Sequence, residues 1–293
     1  MAKTIFYFSY RKTEELHAKA KELKKITTDY GYELTDDYQK ANVIISIGGD
    51  GAFLKSVRET GFRQDCLYAG IALTEQLGQY CDFHINQLDE IIKAAIEDRW
   101  LVRRYPTIYG TVNNTKAFYV LNEFNIRSSI IRTLTMDLYI NDSHFETFRG
   151  DGMVISTPTG STAYNKSVNG SIVDPLLPSM QVSELASINN NKFRTLGSSF
   201  ILSPKRKLRI EIASEEGNNE FPMIGMDSEA LSIQHVHEVN LEVGDRFINI
   251  IKLPKNSFWD KVKRNFLIKK SLANMPDFFY FASRIAANNA FCA

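Results

Sequence analysis

Residues 42–51 read Asn42-Val43-Ile44-Ile45-Ser46-Ile47-Gly48-Gly49-Asp50-Gly51. The first six residues form a short apolar, β-branched run, as expected for a strand that is buried on both faces. The glycines form a turn, and a helical pattern follows at residues 52–60. A buried strand, a glycine turn and a helix in succession predict a parallel sheet that is covered by helices.

The same alternation extends over the first hundred residues. We predict strands at residues 4–9 and 66–71, a helix at 14–30 that ends before Gly31, and a further helix at 88–97. This rhythm indicates an α/β domain with a mostly parallel sheet, which we place at residues 1–100.

Beyond residue 100 the pattern changes to short β-like runs between clusters of Asn, Asp, Gly, Ser and Pro. The runs cover residues 107–112, 117–121, 134–140, 144–148, 153–156, 208–212, 231–234, 238–243 and 247–252. Few helical patterns lie between them, which favours an all-β, sandwich-like domain at residues 101–256. A last helical pattern at about residues 257–270 is expected to return to the first domain and complete it.

The composition limits the classes of function. The 293-residue chain is long enough for two domains, and its 35 Lys and Arg nearly balance its 34 Asp and Glu. That balance argues against nucleic acid or a membrane as the main partner. The three cysteines cannot all pair, no metal ligand is assigned, and no stretch reads as an export signal or a membrane span, so we expect a cytoplasmic protein.

The glycine turn suits an anion. A backbone without side chains can approach a phosphate closely and direct N–H groups and a helix N-terminus toward it. A carboxylate such as Asp50 is repelled by phosphates unless it binds a metal or takes a proton from an incoming hydroxyl, and phosphoryl transfer requires both roles. The alternative interpretation is a structural turn in which Asp50 caps the helix.

A second polar run, at residues 148–167, reads FRGDGMVISTPTGSTAYNKS. It predicts a strand at 153–156, entered through a Gly-Asp-Gly turn and followed by a stretch rich in Ser and Thr that holds one aromatic residue, Tyr164. Such a run offers hydroxyls, backbone donors and a stacking surface to a ligand. A polar hairpin loop with Ser161 as a helix cap is the alternative.

Together, these motifs resemble one family of kinases. The GGDG turn resembles the one shared by NAD kinases, diacylglycerol and sphingosine kinases and, more distantly, 6-phosphofructokinases. RGDG followed by STPTGSTAYNKS, with the pair Asn122-Glu123 between the two motifs, resembles NAD kinases, namely the ATP-NAD kinases of Gram-positive bacterial type. The stretches ELASINNN (184–191) and SFWDKVKRNF (257–266) are also similar to that type, so the resemblance covers about residues 44–266.

The resemblance implies a phosphotransferase with an alcohol acceptor, which transfers the γ-phosphoryl group of ATP to the adenosine-ribose 2′-hydroxyl of NAD and forms NADP. It implies NAD and ATP as small-molecule substrates, Mg²⁺ or another divalent metal with ATP, and a homodimer or homotetramer. It does not decide whether the acceptor is NAD or NADH, or whether the donor is ATP or polyphosphate. The alternatives are a lipid or sugar kinase that shares the GGDG turn and a non-catalytic NAD-binding sensor.

The resemblance also implies roles for residues of the glycine turn. Asp50 would accept the proton of the ribose 2′-hydroxyl or orient that hydroxyl, and is therefore both a catalytic and an NAD-binding residue. Gly48, Gly49 and Gly51 would hold the ATP phosphates, and Gly51 would also adjoin NAD.

The remaining implied contacts lie in the β-rich part. Asn122 and Glu123 would hydrogen-bond the adenosine half of NAD, and Asp151, with Arg149 adjacent, would approach the nicotinamide end. The other residues implied to bind NAD are Thr162, Ala163, Tyr164, Asn165, Lys166, Ser167, Ala186 and Asp227.

Three positions depart from the family pattern. Ala52 stands where the family has Thr after GGDG, which removes a hydroxyl donor to phosphate. The loop at residues 70–80 reads one residue longer than usual, with Gln79 in place of an aromatic residue that would pack on adenine. The family's Asp-Gly-Gln reads Asp227-Ser228-Glu229 here. These departures predict a weaker or reshaped nucleotide pocket.

Overall fold

The computed structural model describes residues 4–87, 101–128, 133–213, 222–231, 233, 235–254 and 256–268. The described residues up to Asn256 belong to one compact unit, and those from Ser257 onward belong to a second. The helix predicted at residues 88–97 lies outside the described residues, as does Cys292. None of the described helices is long and apolar enough to cross a membrane.

Within the described ranges, five parallel strands build the α/β part. They are β1 (Ile5–Tyr10), β2 (Glu33–Leu34), β3 (Val43–Ile47), β4 (Leu67–Ala72) and β5 (Cys81–His84). They pair in the order β2-β1-β3-β4-β5. All five residues of β3 are buried, which confirms the prediction made from its apolar run.

Two helices pack on opposite faces of this parallel sheet. Helix α1 (Glu14–Asp29) buries its apolar stripe in the same cluster as Ile45 and Ile47. Helix α2 (Asp50–Glu59) packs in another cluster with Ile44. Because successive side chains of a strand point to opposite faces, β3 contributes to both cores. This arrangement confirms the α/β prediction.

Twelve further strands are found among the described residues. They are β6 (Leu101–Val112), β7 (Lys116–Val120), β8 (Glu123–Arg127), β9 (Leu134–Ile140), β10 (Ser143–Gly150), β11 (Gly152–Ser156), β12 (Met180–Leu185), β13 (Phe200–Leu202), β14 (Lys207–Ile212), β15 (Met223–Met226), β16 (Glu229–Leu231) and β17 (Glu238–Lys252). Six of them form an antiparallel sheet in the order β13-β12-β11-β8-β15-β16, and the others join the parallel strands in an eleven-stranded sheet.

The two sheets pack face to face around a large apolar core. Phe124 and Ile155 of the antiparallel sheet and Leu138 and Leu208 of the eleven-stranded sheet are fully buried in one cluster. This packing confirms the predicted sandwich.

The long strand β17 connects the two parts of the eleven-stranded sheet. It pairs antiparallel with β6 and β14, and Ile250 near its end pairs parallel with Tyr68 of β4. The sequence predicted two strands here, but a register shift between Val243 and Phe247 keeps one strand continuous. The proposed boundary near residue 100 stays a prediction.

The second unit begins with a helix at Phe258–Val262, and the Ser257 side chain accepts the Asp260 N–H at 3.1 Å as its cap. A π-helical turn follows at Lys263–Leu267. Residues 258–267 are thus helical, within the range of about 257–270 in which a helix is predicted. Its return to the first domain stays a prediction.

Candidate active site

The glycine turn joins the carboxyl end of β3 to α2. Gly48 has a φ of 153°, and a Cβ there would lie 2.4 Å from the Cβ of Ala52, so a side chain is excluded. A Cβ added at Gly49 or Gly51 would meet no described atom within 4 Å. The turn therefore leaves open space at the helix N-terminus, where backbone N–H groups can meet an anion.

The carboxylate of Asp50 is held by the loop between β4 and β5. Its two oxygens accept the backbone N–H groups of Gln79 at 2.7 Å and Tyr80 at 2.9 Å. A Cβ on Gly78 would lie 2.3 Å from Asp50 Oδ1, so glycine permits this approach. A carboxylate offers about four acceptor positions, which leaves capacity for a hydroxyl. The helix-cap interpretation is wrong, because Gly49 is the N-cap and Asp50 is the first helical residue.

Tyr80 connects the glycine turn to the β-rich part. Its buried ring stacks on Phe53 of α2, with centroids 5.0 Å apart and planes 2° from parallel. Its hydroxyl donates to Asn122 Oδ1 at 2.6 Å. The structure thus brings Asp50 and Asn122, which lie far apart in sequence, into one hydrogen-bonded group.

Asp227 holds the Asn122-Glu123 pair through hydrogen bonds to the backbone. Its carboxylate accepts the N–H groups of Leu121 at 2.9 Å and Asn122 at 2.7 Å, and its own N–H donates to the carbonyl of Glu123 at 3.1 Å. Burial raises the pKa of Asp227 to about 6. Its predicted contact with NAD stays a prediction, and its observed contacts are internal.

Glu123 carries a buried oxygen, Oε2, that has no hydrogen-bond partner among the residues the structure describes. Burial, reinforced by the charge of Asp227, raises the pKa of Glu123 to about 7, and the Tyr164 N–H opposes this rise. A buried polar atom without a partner costs about 1–3 kcal/mol. A hydrogen-bond donor on a ligand would recover that cost, which suits the predicted role of Glu123.

The segment after β11 packs tightly on the same pair. The hydroxyls of Thr157 and Thr159 donate to the Leu121 carbonyl at 2.6 and 3.1 Å. A Cβ on Gly160 would lie 1.9 Å from the Asn122 carbonyl oxygen, so only glycine fits. The alternative of a polar loop capped by Ser161 is wrong, because the helices at Thr159–Thr162 and Tyr164–Ser167 are capped by Pro158 and Ala163.

Several predicted NAD-binding side chains already have internal partners. Asn165 is fully buried and its Oδ1 accepts the Ser183 hydroxyl at 2.6 Å. The hydroxyls of Thr162 and Ser167 donate to backbone carbonyls at 3.0 and 2.7 Å. Lys166 is exposed, and the Tyr164 ring lies 5.8 Å from the guanidinium of Arg127.

Arg149, Asp151 and Ala186 lie near the start of β11 and the end of β12. Asp151 is exposed and its N–H donates to the Leu185 carbonyl at 2.9 Å, while a Cβ on Gly150 would lie 2.8 Å from the Ala186 carbonyl oxygen. The Arg149 guanidinium lies 4.3 Å from the centre of the Phe193 ring. The arrangement makes these three residues neighbours, and their contact with NAD stays a prediction.

The residues that depart from the family pattern also have defined places. Ser228 has a φ of 68°, a left-handed conformation that favours glycine, the residue the family has here. Glu229 forms an ion pair with Arg58 of α2. Gln79 is buried, and its backbone N–H supports Asp50.

A cleft of about 820 Å³ opens beside the glycine turn, at the carboxyl ends of β1 and β3. Its lining includes four cationic residues, Arg11, Lys12, Lys24 and Lys55, together with Gly48 and Gly51. Lys24 and Lys55 form ion pairs with Asp36 and Glu59, which also line the cleft. Ligands of open α/β sheets bind beyond the carboxyl ends of the strands. The sequence patterns did not indicate this cationic lining, although Arg11 and Lys12 lie two and three residues beyond the strand predicted at residues 4–9. Among the described residues, no three His, Cys, Asp or Glu side chains group as a metal site.

Comparison with known proteins identifies relatives that match about nine tenths of the chain. Residues 121–253 match the family model of the ATP-NAD kinase C-terminal domain. The chain is 51% identical over 267 residues to NAD kinase 2 of Geobacillus kaustophilus, covering 91% of this chain and 99% of that protein. It is also 51% identical over 261 residues to NAD kinase 2 of Bacillus subtilis, covering 89% and 97%.

Two solved structures share the fold. The yeast NADH kinase complexed with NADH superposes with a TM-score of 0.77 at 18% identity, over 92% of this chain and 89% of that chain. An NAD kinase from Archaeoglobus fulgidus in complex with ATP gives a TM-score of 0.68 at 19% identity, over 89% and 99%. At such identities the likeness concerns the fold alone.

Proposed function

Since the chain belongs to the NAD kinase family, we propose that it transfers the γ-phosphoryl group of ATP to the adenosine-ribose 2′-hydroxyl of NAD and forms NADP. The observation that carries this proposal is the placement of Asp50. Its carboxylate is fixed by two backbone N–H groups beside an open glycine turn, and Tyr80 joins it to Asn122. These contacts support a proton acceptor that lies between a turn suited to phosphates and a residue suited to the adenosine of NAD.

The donor would bind in the cleft beside the turn. The N–H groups at the start of α2 and the cations Arg11 and Lys12 suit the triphosphate of ATP. Mg²⁺, or another divalent metal, would enter as part of the ATP substrate and neutralise charge on the transferred group. Ala52 supplies no hydroxyl here, so the phosphates depend on backbone donors and on these side-chain cations.

The acceptor would bind between Asp50 and the Asn122-Glu123 pair. The Asn122 side chain is oriented by Tyr80, and the buried Glu123 oxygen that has no partner among the described residues suits a donor on the adenosine half of NAD. Phosphoryl transfer needs little covalent help from the protein, because most of the catalysis comes from positioning and from stabilisation of charge. Asp50 then needs only to orient the 2′-hydroxyl and receive its proton.

The nicotinamide half would extend toward Asp151, with Arg149 and Ala186 nearby. Gly51, Thr162, Ala163, Tyr164, Asn165, Lys166, Ser167 and Asp227 complete the NAD-binding set as direct contacts or as supports of the residues that touch the ligand. We further propose a homodimer or homotetramer in the cytoplasm, where Cys66 and Cys81, which form no disulfide among the described residues, stay reduced.

A non-catalytic sensor is the alternative that the departures at Ala52 and Gln79 would favour. The hydrogen bonds that hold Asp50 argue against it, since a sensor has no need of a fixed carboxylate at a phosphate site. The test is an assay of the purified protein with Mg²⁺, ATP and NAD, in which NADP is measured by an NADP-specific dehydrogenase. Formation of NADP is the expected result. Binding of NAD in a calorimeter without NADP formation would identify a sensor instead.

The same assay distinguishes the open substrate choices and the lipid or sugar kinase alternative. NADH replaces NAD in one arm, and inorganic polyphosphate replaces ATP in another. A lipid or sugar kinase would form no NADP from NAD and no NADPH from NADH in any arm. The ratio of kcat/KM values between two arms then measures the preference of the enzyme for one acceptor or one donor over the other.

A further inference from the structure

A buried ion pair lies behind the loop that holds Asp50. Lys252, the last residue of β17, has a side chain only 1% exposed, and its Nζ donates to Asp82 Oδ1 at 3.0 Å. The Asp82 side chain is fully buried, and its other oxygen accepts the Leu253 N–H at 2.7 Å. Because desolvation of a buried pair offsets much of its attraction, stability alone is a weak explanation for its presence.

The ammonium of Lys252 also binds the backbone of the loop. Nζ donates to the carbonyl oxygen of Gln79 at 2.7 Å. That oxygen belongs to the peptide group between Gln79 and Tyr80, and the N–H of the same peptide group donates to Asp50 at 2.9 Å. Lys252 and Asp50 therefore bind opposite ends of one peptide group.

This geometry has two physical consequences. A cation fixed on the carbonyl oxygen holds the peptide plane in place, and with it the direction of the N–H that orients the carboxylate. It also polarises the peptide group, which strengthens that N–H as a donor. The ring of Tyr105 lies 6.0 Å from Nζ, and Asn256 Nδ2 donates to the Asp82 carbonyl at 3.3 Å, so the pair is enclosed on further sides.

We propose that Lys252 is a positioning residue for the reaction, acting on Asp50 through the Gln79–Tyr80 peptide group. This assignment rests on the proposed function, since it gives Lys252 a part in the same phosphoryl transfer. Asp82 Oδ1 accepts from Nζ and so keeps the ammonium directed at the Gln79 carbonyl.

The decisive variant is Lys252→Met combined with Asp82→Asn. Loss of the lysine alone removes the cation that Asp82 contacts and leaves its buried carboxylate in place, whereas the double variant removes both charges and is therefore expected to fold with a Tm near that of the native protein. We expect kcat to fall by about 10- to 100-fold, because small misplacements of reacting groups cost that much, with KM for NAD and for ATP changed less than about threefold. Lys252→Gln combined with Asp82→Asn replaces it if the methionine variant does not fold.

Asn256→Ala is the matched control. It removes a buried hydrogen bond to Asp82 but leaves the contact between Lys252 and the Gln79 carbonyl in place. We expect a lowered Tm with kcat close to the native value. Equal loss of kcat in the control and the double variant would show that Lys252 acts only through stability, and native kcat in a folded double variant would also overturn the proposal.

A second measurement does not depend on activity. The amide proton of Tyr80, observed by NMR, should move upfield in the double variant because its peptide group is no longer polarised, and should stay in place in Asn256→Ala. An unchanged Tyr80 amide in a folded double variant would refute the proposed coupling. If the native protein forms no NADP, the proposed function fails, and the Tyr80 amide still reports on Lys252 separately.

Discussion

The hydroxyl of Tyr80 donates a 2.6 Å hydrogen bond to the side-chain carbonyl of Asn122. The backbone N–H of the same tyrosine donates to Asp50 at 2.9 Å. Tyr80, a buried residue, thus sets the distance between Asp50, which would receive the proton, and Asn122, which would hold the adenosine. The two functions of Tyr80 can be separated, because one belongs to its side chain and the other to its backbone.

The substitution Tyr80→Phe removes only the side-chain function. The stacking on Phe53 and the N–H bond to Asp50 remain, so kcat should change little, whereas KM for NAD should rise as Asn122 loses its orientation. The buried acceptor left without a partner should lower the free energy of unfolding by about 1–3 kcal/mol. Steady-state kinetics and urea unfolding measure both effects. Tyr105→Phe, on a ring that contacts Tyr80 edge-on, is the control, and an unchanged KM for NAD in Tyr80→Phe would contradict the role given to Asn122.

The substitution Asp50→Asn tests the proposed proton acceptor. An amide cannot take the hydroxyl proton, so kcat should fall by about 10²- to 10⁴-fold, the usual contribution of a general base. NAD should still bind, because its adenosine contacts lie on Asn122 and Glu123, and calorimetry measures this. Asp29→Asn, an exposed carboxylate at the end of α1, is the control. Near-native formation of NADP by Asp50→Asn would remove Asp50 from the chemistry.

The substitution Gly78→Ala tests whether the held position of Asp50 matters. The added methyl would lie 2.3 Å from Asp50 Oδ1, so the loop or the carboxylate must move, and kcat should fall by up to about 100-fold. Gly51→Ala adds the same methyl where no described atom lies within 4 Å. It should therefore leave the Tm unchanged and raise KM for ATP, because the phosphates need that space. A native kcat in Gly78→Ala would show that the hydrogen bonds from the loop are dispensable.

The sequence predicts the fold well where apolar periodicity dominates, as in β3 and α1. Several strands were not predicted, among them β5, β8, β12, β13 and β15. In β8 and β12, buried polar residues such as Glu123 and Ser183 interrupt an apolar pattern. These residues are buried because the site and its hydrogen-bond partners surround them. In β8 and β12, the strand signal is thus weakened by polar groups that belong to the candidate site or hold its residues in place.

The candidate site shows a similar limit. Motif resemblance located Asp50, Asn122 and Glu123, but gave no role to Tyr80 or Lys252. Both act through contacts between residues that are distant in sequence. Part of their action also uses backbone atoms, which every residue has and which therefore leave no motif in the sequence. Only the folded arrangement of β5, β8 and β17 brings these groups together.

The cations of the cleft predict a dependence on ionic strength. Arg11 and Lys12 are exposed residues in the lining, and their combined replacement by Gln should raise KM for ATP by about 5- to 30-fold at low salt. Salt screens exposed charges, so the difference from the native protein should shrink as salt is added. Lys21→Gln, on an exposed position of α1 outside the cleft, should change neither KM for ATP nor its dependence on salt. If replacing Arg11 and Lys12 changed only the KM for NAD, the cleft would bind NAD and not ATP.

The titration of Glu123 predicts a pH dependence of stability. Burial and the charge of Asp227 raise the pKa of Glu123 from 4.5 to about 7 in the folded protein. Between these values the folded state holds a proton that the unfolded state releases, so the free energy of unfolding falls as pH rises through this window and levels off above it. Asp227, with a pKa raised to about 6, contributes in the same direction.

Glu123→Gln isolates the contribution of Glu123, because glutamine does not titrate and Asp227 remains in both proteins. Urea unfolding at about pH 5 and about pH 7.5 should show the variant gaining stability relative to the native protein by roughly 1–3 kcal/mol as pH rises. Glu238→Gln, on a partly exposed residue distant in sequence from the proposed site, is a suitable control and should show a smaller change. A constant difference between Glu123→Gln and the native protein at the two pH values would mean that Glu123 is ionised throughout, and that the ligand meets a carboxylate rather than a carboxylic acid.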